Sequence, residues 1–151
     1  MEITYHYDEL PKVAEAIAQL LIPSDVVGLS GDLGAGKTTL IKSIASFFGI
    51  PRDEVTSPTY VYQHIYKGQL DIHHVDLYRI SDEQTLLGLG IVEAMEENGI
   101  FLVEWIDRFP ACFTPYLHIR LEVVDQDTRK IKIDASGWPL SRQQSWQKVF
   151  V

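Results

Sequence analysis

Gly31-Asp32-Leu33-Gly34-Ala35-Gly36-Lys37-Thr38 is the stretch on which the reading of this chain turns. It satisfies G-x-x-x-x-G-K-[ST] at every fixed position, and the chemistry of a phosphate cradle needs these types at this spacing. Glycines let the backbone turn with its N–H groups pointing inward around phosphate oxygens. A helix opening near Lys37 adds the positive end of its dipole to the same anion site. The lysine then reaches the β- and γ-phosphates, and the Thr38 hydroxyl is placed to ligate magnesium. A chance glycine-rich turn is set aside by context, because the motif follows an apolar run and precedes an amphipathic one.

Just before the motif, Val26-Val27-Gly28-Leu29 reads as a buried strand. Leu40, Ile41, Ile44 and Phe48 make the apolar face of the helix after the loop, with Gly49 as its C-terminal cap and Pro51 as its stop. Upstream, Ile3 to Tyr7 reads as a short strand or extended arm. Asp8 is placed to cap a helix bearing Leu10, Val13, Ile17, Leu20 and Leu21, ended by Pro23. Downstream, Val55 to Tyr66 carries strand-forming residues with Pro58 as an early break. Lys67-Gly68 reads as a hairpin turn and Leu70 to Val75 as the returning strand. Ser81 with Gln84 predicts a capping box for a helix over Asp82 to Leu87. Ile100 to Val103 suits a central strand, and Leu117 to Val124 with Thr128 to Ile133 a closing hairpin around Asp125-Gln126-Asp127. The expected fold is therefore α/β: the P-loop NTPase three-layer α/β/α arrangement, with a mostly parallel mixed sheet and a C-terminal hairpin. The domain is expected over 1–137. The tail over 138–151 carries Trp138, Trp146 and Phe150, which either dock on the domain or face a partner.

Composition narrows the function classes. The chain has 151 residues, 46% hydrophobic and 23% charged, enough for one well-packed domain. Its net charge of −8 opposes bulk binding to nucleic acid, which needs clustered Lys and Arg. The one basic cluster, Arg129, Lys130 and Lys132, reads as a solvated strand face. Cys112 is the only cysteine, so an intrachain disulfide and a Cys-based metal site are excluded. The residue reads as a buried structural cysteine in a reducing cytosol. Met1-Glu2-Ile3-Thr4 is neither basic nor apolar enough for a signal peptide, and no apolar run approaches the length of a membrane span.

A P-loop enzyme also needs carboxylates at the ends of neighbouring strands, to hold magnesium and orient a nucleophile. Asp76 follows one apolar strand and Glu104 another. Thr56-Ser57-Pro58-Thr59 is a hydroxyl-rich loop, either a plain turn or a segment ordered by phosphate and metal. His73 and His74 are adjacent on a strand, so one is expected to face the core and the other solvent, which argues against a metal pair. Trp105 is expected in the core or in a site wall. Guanine-reading nucleotide switches use Asn-Lys-x-Asp, and the only asparagine is Asn98, followed by glycine. ATP is therefore expected over GTP. The arm Tyr5 to Tyr7 and Arg129 are the candidates for contacting the base.

Four motifs in this order, G-D-L-G-A-G-K-T-T over Gly31 to Thr39, S-P-T-Y over Ser57 to Tyr60, H-V-D-L-Y-R over His74 to Arg79 and V-E-W over Val103 to Trp105, closely resemble the TsaE (YjeE) family of bacterial ATPases. The resemblance runs from about Ile3 to about Gly137. It implies a magnesium-dependent ATPase needed for threonylcarbamoyladenosine modification of tRNA. In this reading the protein acts in the cytoplasm with the transferase subunits TsaB and TsaD, and meets tRNA only indirectly. It implies a phosphate site over Gly31, Asp32, Leu33, Gly34, Ala35, Gly36, Lys37, Thr38 and Thr39, with Thr38 and Glu104 as magnesium ligands. Asp76 matches the essential acidic residue, and Thr59 belongs to the switch-like loop. Tyr60 stands where many relatives carry Phe, and Ile106 where many carry Pro. The other readings are a small-molecule P-loop kinase and a nucleotide-gated binding module. The kinase would want an arginine-rich lid, but Trp105 to Pro115 holds only Arg108.

Overall fold

The computed structural model describes residues 1–96 and 98–149. Strands β1 (Glu2–His6), β2 (Val26–Ser30), β3 (Gln63–Tyr66), β4 (Ile72–Asp76), β5 (Ile100–Glu104), β6 (Leu117–Val123) and β7 (Thr128–Asp134) form one sheet in the order β1-β7-β6-β2-β5-β4-β3. Neighbours β6, β2, β5 and β4 are parallel, whereas β1–β7, β7–β6 and β4–β3 pair antiparallel. Five of the seven strands thus run one way, and the sheet is mixed with a parallel centre. Strands β2, β5 and β4 are buried along their whole length, and β2 and β5 read as near-continuous apolar runs, whereas β6 alternates between buried and more exposed residues.

Helices α1 (Leu10–Ala18), α2 (Lys37–Phe47), α3 (Glu83–Gly88) and α4 (Leu140–Val149) complete the layers. On one face, Ile17, Leu40, Ile41 and Ile44 of α1 and α2 pack with Val27, Leu29 and Leu102. On the other, Leu86 of α3 and Ile106 pack with Val26, Phe101 and Val103. The strict alternation along β5, with Ile100 and Leu102 to one side and Phe101 and Val103 to the other, separates the two cores. Trp138 and Trp146 are buried in the first core, at ring centroids 5.8 Å apart. Arg142 of α4 clamps Asp25, just before β2, with two bonds of 2.7 and 2.8 Å. Phe150 lies outside the described residues.

Local expectations differ from the fold in instructive places. α1 is entered through a 3-10 turn over Tyr7–Glu9. Asp8 bonds the His6 ring at 3.0 Å instead of capping, and the Glu9 carboxylate accepts from the His6 amide at 2.8 Å. α1 ends at Ala18, so Leu20 and Leu21 pack from the following turn rather than from the helix. Only Gln63–Tyr66 of the run from Val55 forms strand. Pro58 instead closes a turn, its carbonyl accepting from Val61 and Tyr62 amides at 3.1 and 2.6 Å. The cap of α3 is Asp82, which accepts from the Thr85 amide at 2.8 Å, one residue later than the Ser81–Gln84 pairing. Cys112 is half-buried rather than buried. Among the described residues, no helix is long and apolar enough to cross a membrane.

Candidate functional site

The phosphate loop joins β2 to α2, and Gly31, Gly34 and Gly36 all take positive φ in it. Gly31 has φ 145°, and a β-carbon there would lie 2.6 Å from the Leu121 carbonyl oxygen. Gly36, the residue before α2, has φ 107°, in the left-handed region where side chains are disfavoured. The helix begins at Lys37, and the first turn leaves backbone N–H groups free to face an anion. Lys37 is buried. Its ammonium donates to the Gly31 carbonyl at 2.7 Å and the Asp32 carbonyl at 3.1 Å, and lies 4.0 Å above the Trp105 ring. Burial lowers its pKa from the ordinary lysine value, against the opposing pull of the Glu104, Asp76, Asp107 and Asp32 carboxylates.

The two strand-end acids meet because β4 and β5 are parallel neighbours in a register that pairs Asp76 with Glu104. Both are buried, at 2% and 3% exposure. The Thr38 hydroxyl donates to the Glu104 carboxylate, at 2.9 and 3.1 Å from its two oxygens. Asp76 is held differently. One oxygen accepts from Thr59 at 2.8 Å and from Ser57 at 3.3 Å, and the other from the Tyr78 amide at 2.8 Å. The hydroxyl-rich loop is thus tied to the acid at the end of β4. Its exit at Tyr62 and the start of the segment after β5 at Trp105 are both non-glycine residues with positive φ, 69° and 61°. Such backbone is uncommon and tends to persist where surrounding contacts fix it, often at functional sites. At Trp105 it accompanies a ring that carries Lys37 over it and meets the Tyr78 ring at a tilt, with centroids 4.9 Å apart.

These groups line a cleft of about 270 Å³. Leu33, Gly34, Gly36, Lys37, Thr38, Thr39, Thr59, Asp76 and Glu104 line it, as do Tyr7, Ser57, Tyr78 and Trp105. Gly31, Asp32 and Ala35 form the back of the loop, against β6. Thr38, Glu104 and Asp76 offer oxygen donors only, the set a small hard cation prefers. Magnesium keeps waters and phosphate oxygens among its ligands, so one or two protein oxygens suffice.

Three expectations about the surroundings are corrected. Tyr5 is buried in the first core, where burial raises its phenol to about 12, so of the arm it is Tyr7 that lines the cleft. Arg129 is also buried and does not share the solvated face of Lys130 and Lys132, which pair with Glu122 at 3.4 and 3.0 Å. Strand alternation turns it the other way. Its guanidinium donates to Ala35 O at 3.3 Å, Asp125 O at 2.8 Å and the Tyr7 hydroxyl at 2.6 Å, and sits 4.6 Å from the Tyr7 ring centroid. It lies behind the cleft, joining the phosphate loop to the arm. His73 and His74 are both buried, contrary to the expected division between core and solvent, because β4 has a layer on each face. His73 stacks on Phe101 at 4.1 Å, whereas His74 donates from Nε2 to Glu104 at 2.6 Å. Residue types alone did not single out His74. The available signal was its spacing, two before Asp76 on one strand face.

A parallel-centred three-layer sheet with this loop between β2 and α2 has the P-loop NTPase fold. The family model for "Threonylcarbamoyl adenosine biosynthesis protein TsaE" matches residues 4–131, and the chain belongs to the TsaE family. A protein of Rickettsia felis named "tRNA threonylcarbamoyladenosine biosynthesis protein TsaE" is 37% identical over 135 residues, covering 88% of this chain and 78% of the relative. A Bacillus subtilis protein of the same name is 37% identical over 139 residues, covering 89% and 84%. The crystal structure of Bacillus subtilis YdiB superposes with a TM-score of 0.75 at 25% identity, over 99% of this chain and 94% of that one.

Proposed function

We propose that this protein binds ATP with magnesium, hydrolyses it, and in doing so sustains threonylcarbamoyladenosine modification of tRNA in the cytoplasm. The observation that carries the reading is the Thr38–Glu104 contact beside Asp76, at the mouth of the phosphate loop. The loop amides and Lys37 would bind the β- and γ-phosphates. Thr38 and Glu104 would hold the metal, with Asp76 as a further oxygen ligand or as the acceptor that orients the attacking water. Magnesium, when bound, neutralises charge developing on the phosphate oxygens. Asp76 suits the water-orienting task because Ser57, Thr59 and the Tyr78 amide fix its carboxylate in place. Thr39 and Leu33 would flank the nucleotide, and Tyr7 would face its base with Arg129 fixing the ring from behind. TsaB and TsaD are the proposed partners, and tRNA is reached through them, in keeping with the net charge of −8. The kinase reading loses its one lid arginine, since Arg108 donates to the Ile80 carbonyl at 2.8 Å.

The test is ATP hydrolysis by the Glu104→Gln and Asp76→Asn proteins. Both should lose at least about 100-fold in turnover, the scale of losing a transition-state interaction worth about 3 kcal/mol. Glu104→Gln should also weaken the magnesium dependence of nucleotide binding, while Asp76→Asn leaves binding near normal. Wild-type turnover in both variants overturns the reading; the reverse pattern exchanges the two roles.

A further inference from the structure

We infer that His74 is a positioning residue for the Glu104 carboxylate, and that with Tyr66 it couples that carboxylate to the hydroxyl-rich loop beginning at Thr56. Glu104 has two oxygens to orient and two side chains that orient them. Thr38 donates from one side, and His74, fully buried, donates from the other at 2.6 Å. A carboxylate accepts only, so the proton in the second contact sits on Nε2. That leaves Nδ1 directed at the Tyr66 hydroxyl, 3.4 Å away. The same hydroxyl accepts from the Thr56 amide at 3.2 Å and lies 3.1 Å from the Thr56 carbonyl. The phenol has one proton, which serves either His74 Nδ1 or the Thr56 carbonyl, whereas the bond accepted from the Thr56 amide stands in both cases. Tyr66 thus holds the residue that starts the loop, while Ser57 and Thr59 of that loop reach Asp76.

The geometry follows from the pleat. His74 and Asp76 are two apart on β4 and so share a face, as His64 and Tyr66 do on β3. Register sets Asp76 against Glu104 and His64 against His74. One face of three strands thus carries a continuous path: Glu104, His74, Tyr66, Thr56. The loop is attached to the site at two independent points, one at each acid. Outer-sphere partners of this kind orient metal-ligating carboxylates, and their loss commonly weakens metal affinity by about 10- to 100-fold.

This inference rests on Glu104 holding the metal as proposed above, and the test separates the two. Nucleotide binding is measured by calorimetry over a magnesium titration, and again in chelator, for wild type, Glu104→Gln, His74→Leu, His74→Gln and Tyr66→Phe. The expected result is a magnesium midpoint raised about 10-fold or more in His74→Leu. His74→Gln, whose amide can donate from nearly the Nε2 position, should recover to within about threefold of wild type by keeping that bond. Metal-free affinity should match wild type throughout, which a merely structural role would not allow. Tyr66→Phe should raise the midpoint severalfold and speed hydrogen exchange at the Thr56 amide, which loses its acceptor. An unchanged midpoint in His74→Leu, with Glu104→Gln shifted, overturns this inference alone. An unchanged midpoint in Glu104→Gln itself overturns the metal assignment on which it rests. Equal impairment in His74→Gln and His74→Leu contradicts the positioning role. Faster exchange in Tyr66→Phe without any shift in midpoint contradicts the coupling to the loop.

Discussion

Replacing Arg142 by Met should destabilise the whole domain although the residue lies in the last helix. The guanidinium donates to both oxygens of Asp25, at 2.7 and 2.8 Å, and to the Leu20 carbonyl at 2.8 Å. It also stacks 4.1 Å from the centroid of the buried Trp138 ring. Asp25 is only 8% exposed, so removing its cation leaves a nearly buried carboxylate with the Ile22 amide as its remaining donor. Breaking a fully buried pair costs about 3–5 kcal/mol. Arg142 is 22% exposed, which places the expected loss at the lower end, about 3 kcal/mol. Methionine keeps the apolar stem over Trp138, so the loss should come mainly from the bonds. For a chain of 151 residues this lowers the melting midpoint by on the order of 9 °C. The assay is urea unfolding of Arg142→Met, Asp25→Asn and the double variant, with thermal melts alongside. The cycle should give a coupling of at least about 1.5 kcal/mol with an unchanged m-value. A coupling below about 0.5 kcal/mol would refute the view that α4 is clamped to the start of β2, and that this clamp is part of the domain's stability.

Lys37→Ala should weaken ATP binding at least about 30-fold, roughly 2 kcal/mol, since a lysine some 4 Å from a phosphate charge supplies up to about 4 kcal/mol before desolvation is subtracted; calorimetry checks it, and wild-type affinity would contradict the phosphate-loop assignment. ATP should outcompete GTP for the site in a displacement titration, because the chain has no Asn-Lys-x-Asp motif. Preference for GTP would mean that the base is read by groups other than Tyr7 and its surroundings.

The parts of this molecule that sequence made legible are those where local chemistry and tertiary demand coincide. The phosphate loop needs glycine for its backbone at Gly31 and Gly36, so it is written in residue types. Glu104 is visible because it follows an apolar run that a buried parallel strand requires; Asp76 ends a strand whose His73 and His74 blur that signal. Where tertiary contacts choose between local options, the sequence was ambiguous. Ser81 and Asp82 are both capping residues, and only the observed backbone selects Asp82. Val55 to Tyr62 has strand-like composition, but Asp76 draws Ser57 and Thr59 inward, and Asp76 N bonds Tyr62 O at 2.9 Å, holding the segment as a loop. The orientation of Arg129 was hidden because its partners, Ala35 and Tyr7, come from distant parts of the chain. For His74 the local signal was only its spacing, two before Asp76; its contact with Glu104 comes from the β4–β5 register.

The most direct measurement is multi-turnover formation of threonylcarbamoyladenosine on tRNA by TsaB and TsaD with this protein present, omitted, or replaced by Glu104→Gln. Sustained modification, accompanied by ATP hydrolysis, is expected only with the wild-type protein. Omission or Glu104→Gln should stop modification after the first turnovers. Equal rates in all three reactions would contradict the account.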